Sequence, residues 1–103
     1  MEIIFFNKKT ENFFEFTNRS ISPKVRRVFE TLEKYGDNLG MPYSRALGKG
    51  LFELRVVGTI NVRFIYTFHE NKIFMLHGFV KKTNKISKQD IDYAHKQLKT
   101  LLH

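Results

Sequence analysis

The stretch LFELRVVGTINVRFIYTFHENKIFMLHGFVKK, residues 51–82, decides the fold. Three runs rich in β-branched and aromatic residues are separated by Gly58 and by the pair Glu70-Asn71, both turn formers. The stretch therefore predicts an antiparallel meander of three strands. Successive strand side chains point to opposite faces. Counting by twos puts Phe52, Leu54 and Val56, then Val62, Phe64, Tyr66 and Phe68, then Phe74, Leu76 and Val80 on an apolar side. The other side receives Glu53 and Arg55, then Asn61, Arg63, Ile65 and Thr67, then Ile73, Met75, His77, Phe79 and Lys81. Nearly all the strong polar groups gather on that second face, and function is expected there.

Working outward, the segment before the meander is loop-like from Asp37 to Gly50, with Gly40, Gly48, Gly50 and Pro42 inside it. Upstream, Ser22 is a suitable helix N-cap and Pro23 suits the first helical position. Val25, Val28, Phe29, Leu32 and Tyr35 then follow at helical spacing until Gly36 stops the helix. Lys8–Asn18 predicts a short helix, with Phe13 and either Thr17 or Phe16 on its inner edge, and Glu2–Asn7 predicts an N-terminal strand instead of a signal peptide. Downstream, Ser87 and Asp90 have capping-box spacing, and Ile91, Ala94, His95, Leu98 and Leu102 lie near one stripe of a terminal helix expected to pack on the apolar face. The order is β-α-α-β-β-β-α: an α+β fold in one domain, residues 1–103, with a small antiparallel sheet and the helices on one face.

Composition narrows the function. With 42% apolar residues and 11 Phe, the chain has a core to build. Eighteen Lys and Arg against 10 Asp and Glu give a formal charge of +8, which attracts polyanions: nucleic acid, an acidic protein or an anionic membrane. There is no cysteine, which excludes disulfides and thiolate metal sites and is compatible with a reducing cytoplasm.

The candidate chemistry sits on the polar face. Arg63 stands between Val62 and Phe64, where a guanidinium needs solvent or an anion. Arg55 has the same parity, and the two with Lys81 or Lys82 would match phosphate oxygens and offset the extra charge of a pentacoordinate phosphate. The plainer alternative is a solvated face in which Arg55 and Glu53 make cross-strand ion pairs. His77 and Glu53 are alternative acid–base groups, although a lone His in an apolar strand is more often structural. Phe79 is a candidate stacking surface for a base, and Lys49, Lys82 and Lys85 are candidate backbone contacts. Lys49, between two glycines, lacks the spacing of a phosphate loop. His69, His95 and His103 show no metal-ligand spacing, so no metal or cofactor is expected.

Met41-Pro42-Tyr43, the run Leu47–Arg55, Arg63 and the block Leu76–Thr83 together resemble the phage-derived HigB-type branch of the RelE-like toxin superfamily. The resemblance covers nearly the whole chain. It implies a RelE-like fold and a basic, metal-independent endoribonuclease that enters the ribosomal A site and cuts translated mRNA in the cytoplasm. It also implies a HigA-type helix-turn-helix antitoxin, through which alone operator DNA would be bound, and no membrane partner. The matching positions are Arg55, Arg63 and the Lys81-Lys82 pair. Two departures stand out: Glu53 occupies a position that is commonly basic, and Ile86-Ser87 stand where a tyrosine is common. The competing expectation is a non-catalytic basic module that holds nucleic acid or an antitoxin.

Overall fold

In the computed structural model, which describes residues 1–58 and 60–103, the chain runs β1 (Ile3–Phe5), α1 (Lys8–Ser20), α2 (Lys24–Tyr35), a short 3-10 turn (Gly36–Asn38), β2 (Ser44–Gly48), β3 (Leu51–Val56), β4 (Val62–His69), β5 (Lys72–Val80) and α3 (Lys88–Leu102). The five strands form one sheet in the order β1-β5-β4-β3-β2. The meander β3-β4-β5 is antiparallel as expected, and the Glu70-Asn71 turn is made of two residues with positive φ, +49° and +64°. Such a turn matches the twist of the flanking strands.

The α+β class holds, but the sheet is mixed, because β1 pairs with β5 in parallel through Ile3↔Ile73 and Phe5↔Met75. It also has a strand that glycine and proline content conceals. Ser44–Gly48, expected to be loop, pairs antiparallel with β3, and Lys49 (φ +54°) and Gly50 (φ +85°) close a tight hairpin between the two. The turn residues are therefore the reason the neighbouring residues can be strand. Ser44 anchors the start of β2: its hydroxyl and that of Tyr66 share a buried 2.5 Å hydrogen bond.

Helices cover both faces, contrary to the expectation of one. On the first face, α1 and α2 lay Phe14, Val25, Val28, Phe29 and Leu32 against Leu54, Val56, Val62, Phe64 and Tyr66. On the second, α3 packs Ile91, Ala94 and Leu98 against Leu51, Ile65 and Leu76. A bulge explains the change. Ile65 pairs with His77 but Tyr66 pairs with Met75, so Leu76 is the extra residue. Ile73 and Met75 therefore join the first core, whereas Phe74 and Leu76 turn to the second, the reverse of a simple count by twos. The second face thereby gains enough apolar surface to hold α3.

Local signals account for the helix ends. The Asn7 side chain accepts from the Thr10 N–H to cap α1, and Ser87 accepts from the Asp90 N–H to cap α3. Ser22 accepts from the Lys24 N–H at the start of α2. The inner edge of α1 is Thr10, Phe14 and Thr17 with Phe13, while Phe16 is exposed; on α3, Leu101 and not Leu102 is the residue packed inward. Gly78 lies close beneath α1: a Cβ there would be 2.5 Å from the Phe13 ring and 2.9 Å from the Phe64 ring. Its lack of a side chain is a packing requirement. None of the described helices is long and apolar enough to cross a membrane.

Candidate functional site

Because α3 leaves the β2–β3 side of the second face uncovered, a charged cluster occupies it. Register sets its geometry. Arg45 lies opposite Glu53, and Arg55 lies opposite Arg63. The Glu53 carboxylate is consequently ringed by three guanidinium groups: Arg63 Nε at 3.6 Å, Arg45 Nε at 3.7 Å and Arg55 Nε at 3.9 Å. Three cations against one anion leave two positive charges uncompensated.

Depth divides the four residues into two pairs. Glu53 is fully buried and Arg63 is 4% exposed, whereas the Arg55 and Arg45 side chains are 27% and 51% exposed. Burial draws the Arg63 guanidinium below its ordinary pKa, the Glu53 carboxylate opposes that shift, and Arg55 and Arg45 add to it. An arginine so placed remains charged at neutral pH. Arg63 donates from Nη1 to the Val62 carbonyl at 3.0 Å, but no direct hydrogen bond within the described residues joins either Glu53 oxygen or the Arg63 and Arg55 Nε atoms to a partner. Desolvated charges held at ion-pair distance without hydrogen bonds stabilise a fold poorly. A local departure of that kind is expected at a functional site.

Arg45 is the residue that sequence reasoning missed. Its signal was partial: the two-residue Lys-Gly turn before Leu51 is a hairpin mark, but pairing back from that turn sets Ala46 opposite Glu53, and only the register shift between Ala46 and Gly48 brings Arg45 there.

Of the expected site residues, Glu53, Arg55 and Arg63 are brought together. Lys81 continues the same row: its N–H donates to the Asn61 carbonyl at 2.8 Å, which extends the β4–β5 register and gives it the parity of Arg63. Lys82 has the opposite parity and, like Lys85, is exposed in the segment leading to α3. Lys49 lies at the far end of β3, at the hairpin tip, beside His95, Leu98 and Lys99 of α3. Four residues at about 3.3 Å per residue separate that end of β3 from Arg55, so Lys49 stands apart from the cluster.

His77 and Phe79 differ most from expectation. His77 pairs with Ile65, one strand beyond Glu53, and its Nε2 is 2.7 Å from Asp90 Oδ1 at the start of α3. Ser87 donates to the other oxygen of Asp90 at 2.6 Å. Burial lowers the His77 pKa, with the Asp90 hydrogen bond working against it. This histidine fastens β5 to α3. Phe79, expected as an exposed stacking surface, is 8% exposed and stacks on His77 with ring centroids 5.2 Å apart. α3 sits where its expected docking on the other face would have left them open.

The comparisons with known proteins add one relationship. The family model described as phage-derived protein Gp49-like matches residues 12–99. No curated protein matches the chain.

Proposed function

The chain belongs to the phage-derived Gp49-like family, and from that premise we propose that it is the toxin of a type II toxin–antitoxin system. It acts as a metal-independent, ribosome-dependent endoribonuclease of the HigB type on translated mRNA in the cytoplasm. The family is compatible with a toxin of a toxin–antitoxin system. The observation that carries the reading is the pairing of Arg55 with Arg63 across β3 and β4, with Glu53 and Arg45 alongside.

In this reading the substrate's 2′-oxygen attacks the adjacent phosphorus as the bond to the 5′-oxygen breaks, leaving a 2′,3′-cyclic phosphate and a 5′-hydroxyl. Arg55 and Arg45, the accessible pair, bind the non-bridging oxygens and stabilise the charge that builds on them. Lys81 supplies the proton to the departing 5′-oxygen. Glu53 is the positioning residue that holds the outer guanidinium groups from beneath, and Arg63 offsets the charge of that buried carboxylate. Glu53, fully buried, is shielded from substrate, so the proton of the 2′-hydroxyl goes to a base outside this cluster. Alignment of the message comes from the ribosomal A site, as orientation can supply much of the rate. The partner that silences the site is a HigA-type helix-turn-helix antitoxin, which also carries the pair to operator DNA.

Mapping mRNA ends after induction tests the proposal. Wild type should generate new ends within translated messages and arrest growth, and Arg55→Ala should lose both while remaining folded and bound by antitoxin. Full toxicity from a stably expressed Arg55→Ala chain would overturn it. The burial of Glu53 and Arg63 favours one alternative, a non-catalytic basic module. It predicts RNA binding that weakens steeply with salt, and no cut message.

A further inference from the structure

A pocket of about 550 Å³ opens beside the charged cluster, between α2 and the β2–β3 edge of the sheet. The volume falls within the range of small-molecule sites, about 300–1,000 Å³. One side is formed by α2, where Lys24 and Arg27 recur at helical spacing and project from a single helix face. Across the pocket stands Arg55, whose side chain also belongs to the cluster, so the two features meet at this one residue at the sheet edge. Between them lie Pro42, Val57 and the half-exposed ring of Tyr43. Among the described residues no carboxylate lines the pocket, and none of the ion pairs involves Lys24 or Arg27.

This combination is selective. Lys24 and Arg27, lining a common space, repel each other unless an anion enters, and the aromatic and apolar wall gives that anion's remainder an apolar surface. An aromatic ring beside cations is the arrangement that holds an unpaired base and its phosphate. An acidic peptide would satisfy the charges but leave the Tyr43 face without a planar partner.

We propose that this pocket is a subsite for one nucleotide of single-stranded RNA flanking the scissile phosphate, its base against Tyr43 and Pro42 and its phosphate on Lys24 and Arg27. The inference rests on the reading of the chain as an RNA-cleaving toxin, because Arg55 joins the pocket to the cluster assigned to cleavage. Arg55 is then the hinge of recognition, touching the scissile phosphate on one side and the neighbouring nucleotide on the other.

The test uses the purified full chain and a short single-stranded RNA made uncleavable by 2′-O-methyl groups throughout, followed by fluorescence anisotropy and NMR shift mapping. The double variant Lys24→Ala/Arg27→Ala should bind about tenfold more weakly, with the slope of log K against log salt shallower by about 0.7 for each phosphate it no longer neutralises. Tyr43→Ala should weaken binding about tenfold, and Tyr43→Phe should restore it. Shifts should centre on Tyr43 and the first turn of α2. Wild-type affinity and slope in the double variant, or shifts elsewhere, would overturn the subsite. So would an oligoglutamate peptide that displaces the RNA and shifts the same residues more strongly.

The subsite and the reading beneath it fail separately. Undiminished RNA binding by the double variant, with mRNA ends still cut by wild type, ends the subsite alone. Pocket shifts with no cut ends from wild type end the endoribonuclease reading and leave a nucleotide site.

Discussion

The two faces of one sheet solve burial differently. Under α1 and α2, Phe64 is fully buried and meets Phe29 at 4.8 Å, Phe13 at 5.5 Å and Phe14 at 6.5 Å between ring centroids. Edge-on and tilted ring contacts of this kind add to the area term. On the opposite face, the residues either side of Phe64 are Arg63, inside the charged cluster, and Ile65, beneath α3. Two adjacent positions in β4 thus enter a dry aromatic core and an ionic site. The apolar face can hold the fold, which leaves the other free to carry charges that do not.

That contrast is broken or sharpened by substitutions on either side. Phe64→Ala should cost about 3–5 kcal/mol in urea denaturation, through forfeited transfer energy and an unfilled cavity. A loss under about 1 kcal/mol would show that the aromatic core is not what holds the sheet. Arg63→Ala, which strands a buried carboxylate, should cost about 3 kcal/mol. The double replacement Glu53→Met/Arg63→Met should return to within about 1 kcal/mol of wild type, since an apolar pair needs no charge compensation. If the double variant is as unstable as the single one, the ions belong to the fold and the contrast fails.

Gly78→Ala should cost about 1–3 kcal/mol by overpacking against Phe13 and Phe64, and the companion change Phe13→Leu should recover part of it. The smallest effect concerns pH. His77 is held below its ordinary value of 6.5, so the unfolded chain takes up a proton before the folded one. Stability is then full above about pH 6.5 and declines as pH falls below it. His77→Gln should flatten that decline in denaturation midpoints measured between about pH 7.5 and 5. An unchanged profile would remove His77 as its source.

Much of this was legible from local signals. The three central strands, the Glu70-Asn71 turn, the Ser22 and Ser87 helix starts and the common face of Glu53, Arg55 and Arg63 all follow from short-range patterning, which the tertiary fold leaves intact. The rest depended on long-range facts. The parallel partner of β1, with Ile3 set against Ile73, is most of the chain away, so no alternation near Ile3 identifies it. β2 is an edge strand whose Arg45 and Ala46 are both exposed, which erases the half-buried rhythm by which strands are found. Arg45 was hidden with it. The side on which α3 docks followed from the Leu76 bulge, and with it went the exposure expected for Phe79 and the freedom expected for His77.

One inserted residue therefore steers a whole strand. Pairing the strand straight through Leu76, without the bulge, would carry Phe74 and its upstream neighbours to the opposite face while His77 and Phe79 stayed in step with β4, or else would drag His77 beneath the aromatic rings and thrust Gly78 out among the arginines. Either way the clasp to Asp90 or the seat for the last helix is lost. The molecule's two-sidedness is set at a single peptide unit, and a ratchet of one notch there would convert a working surface into a misassembled one.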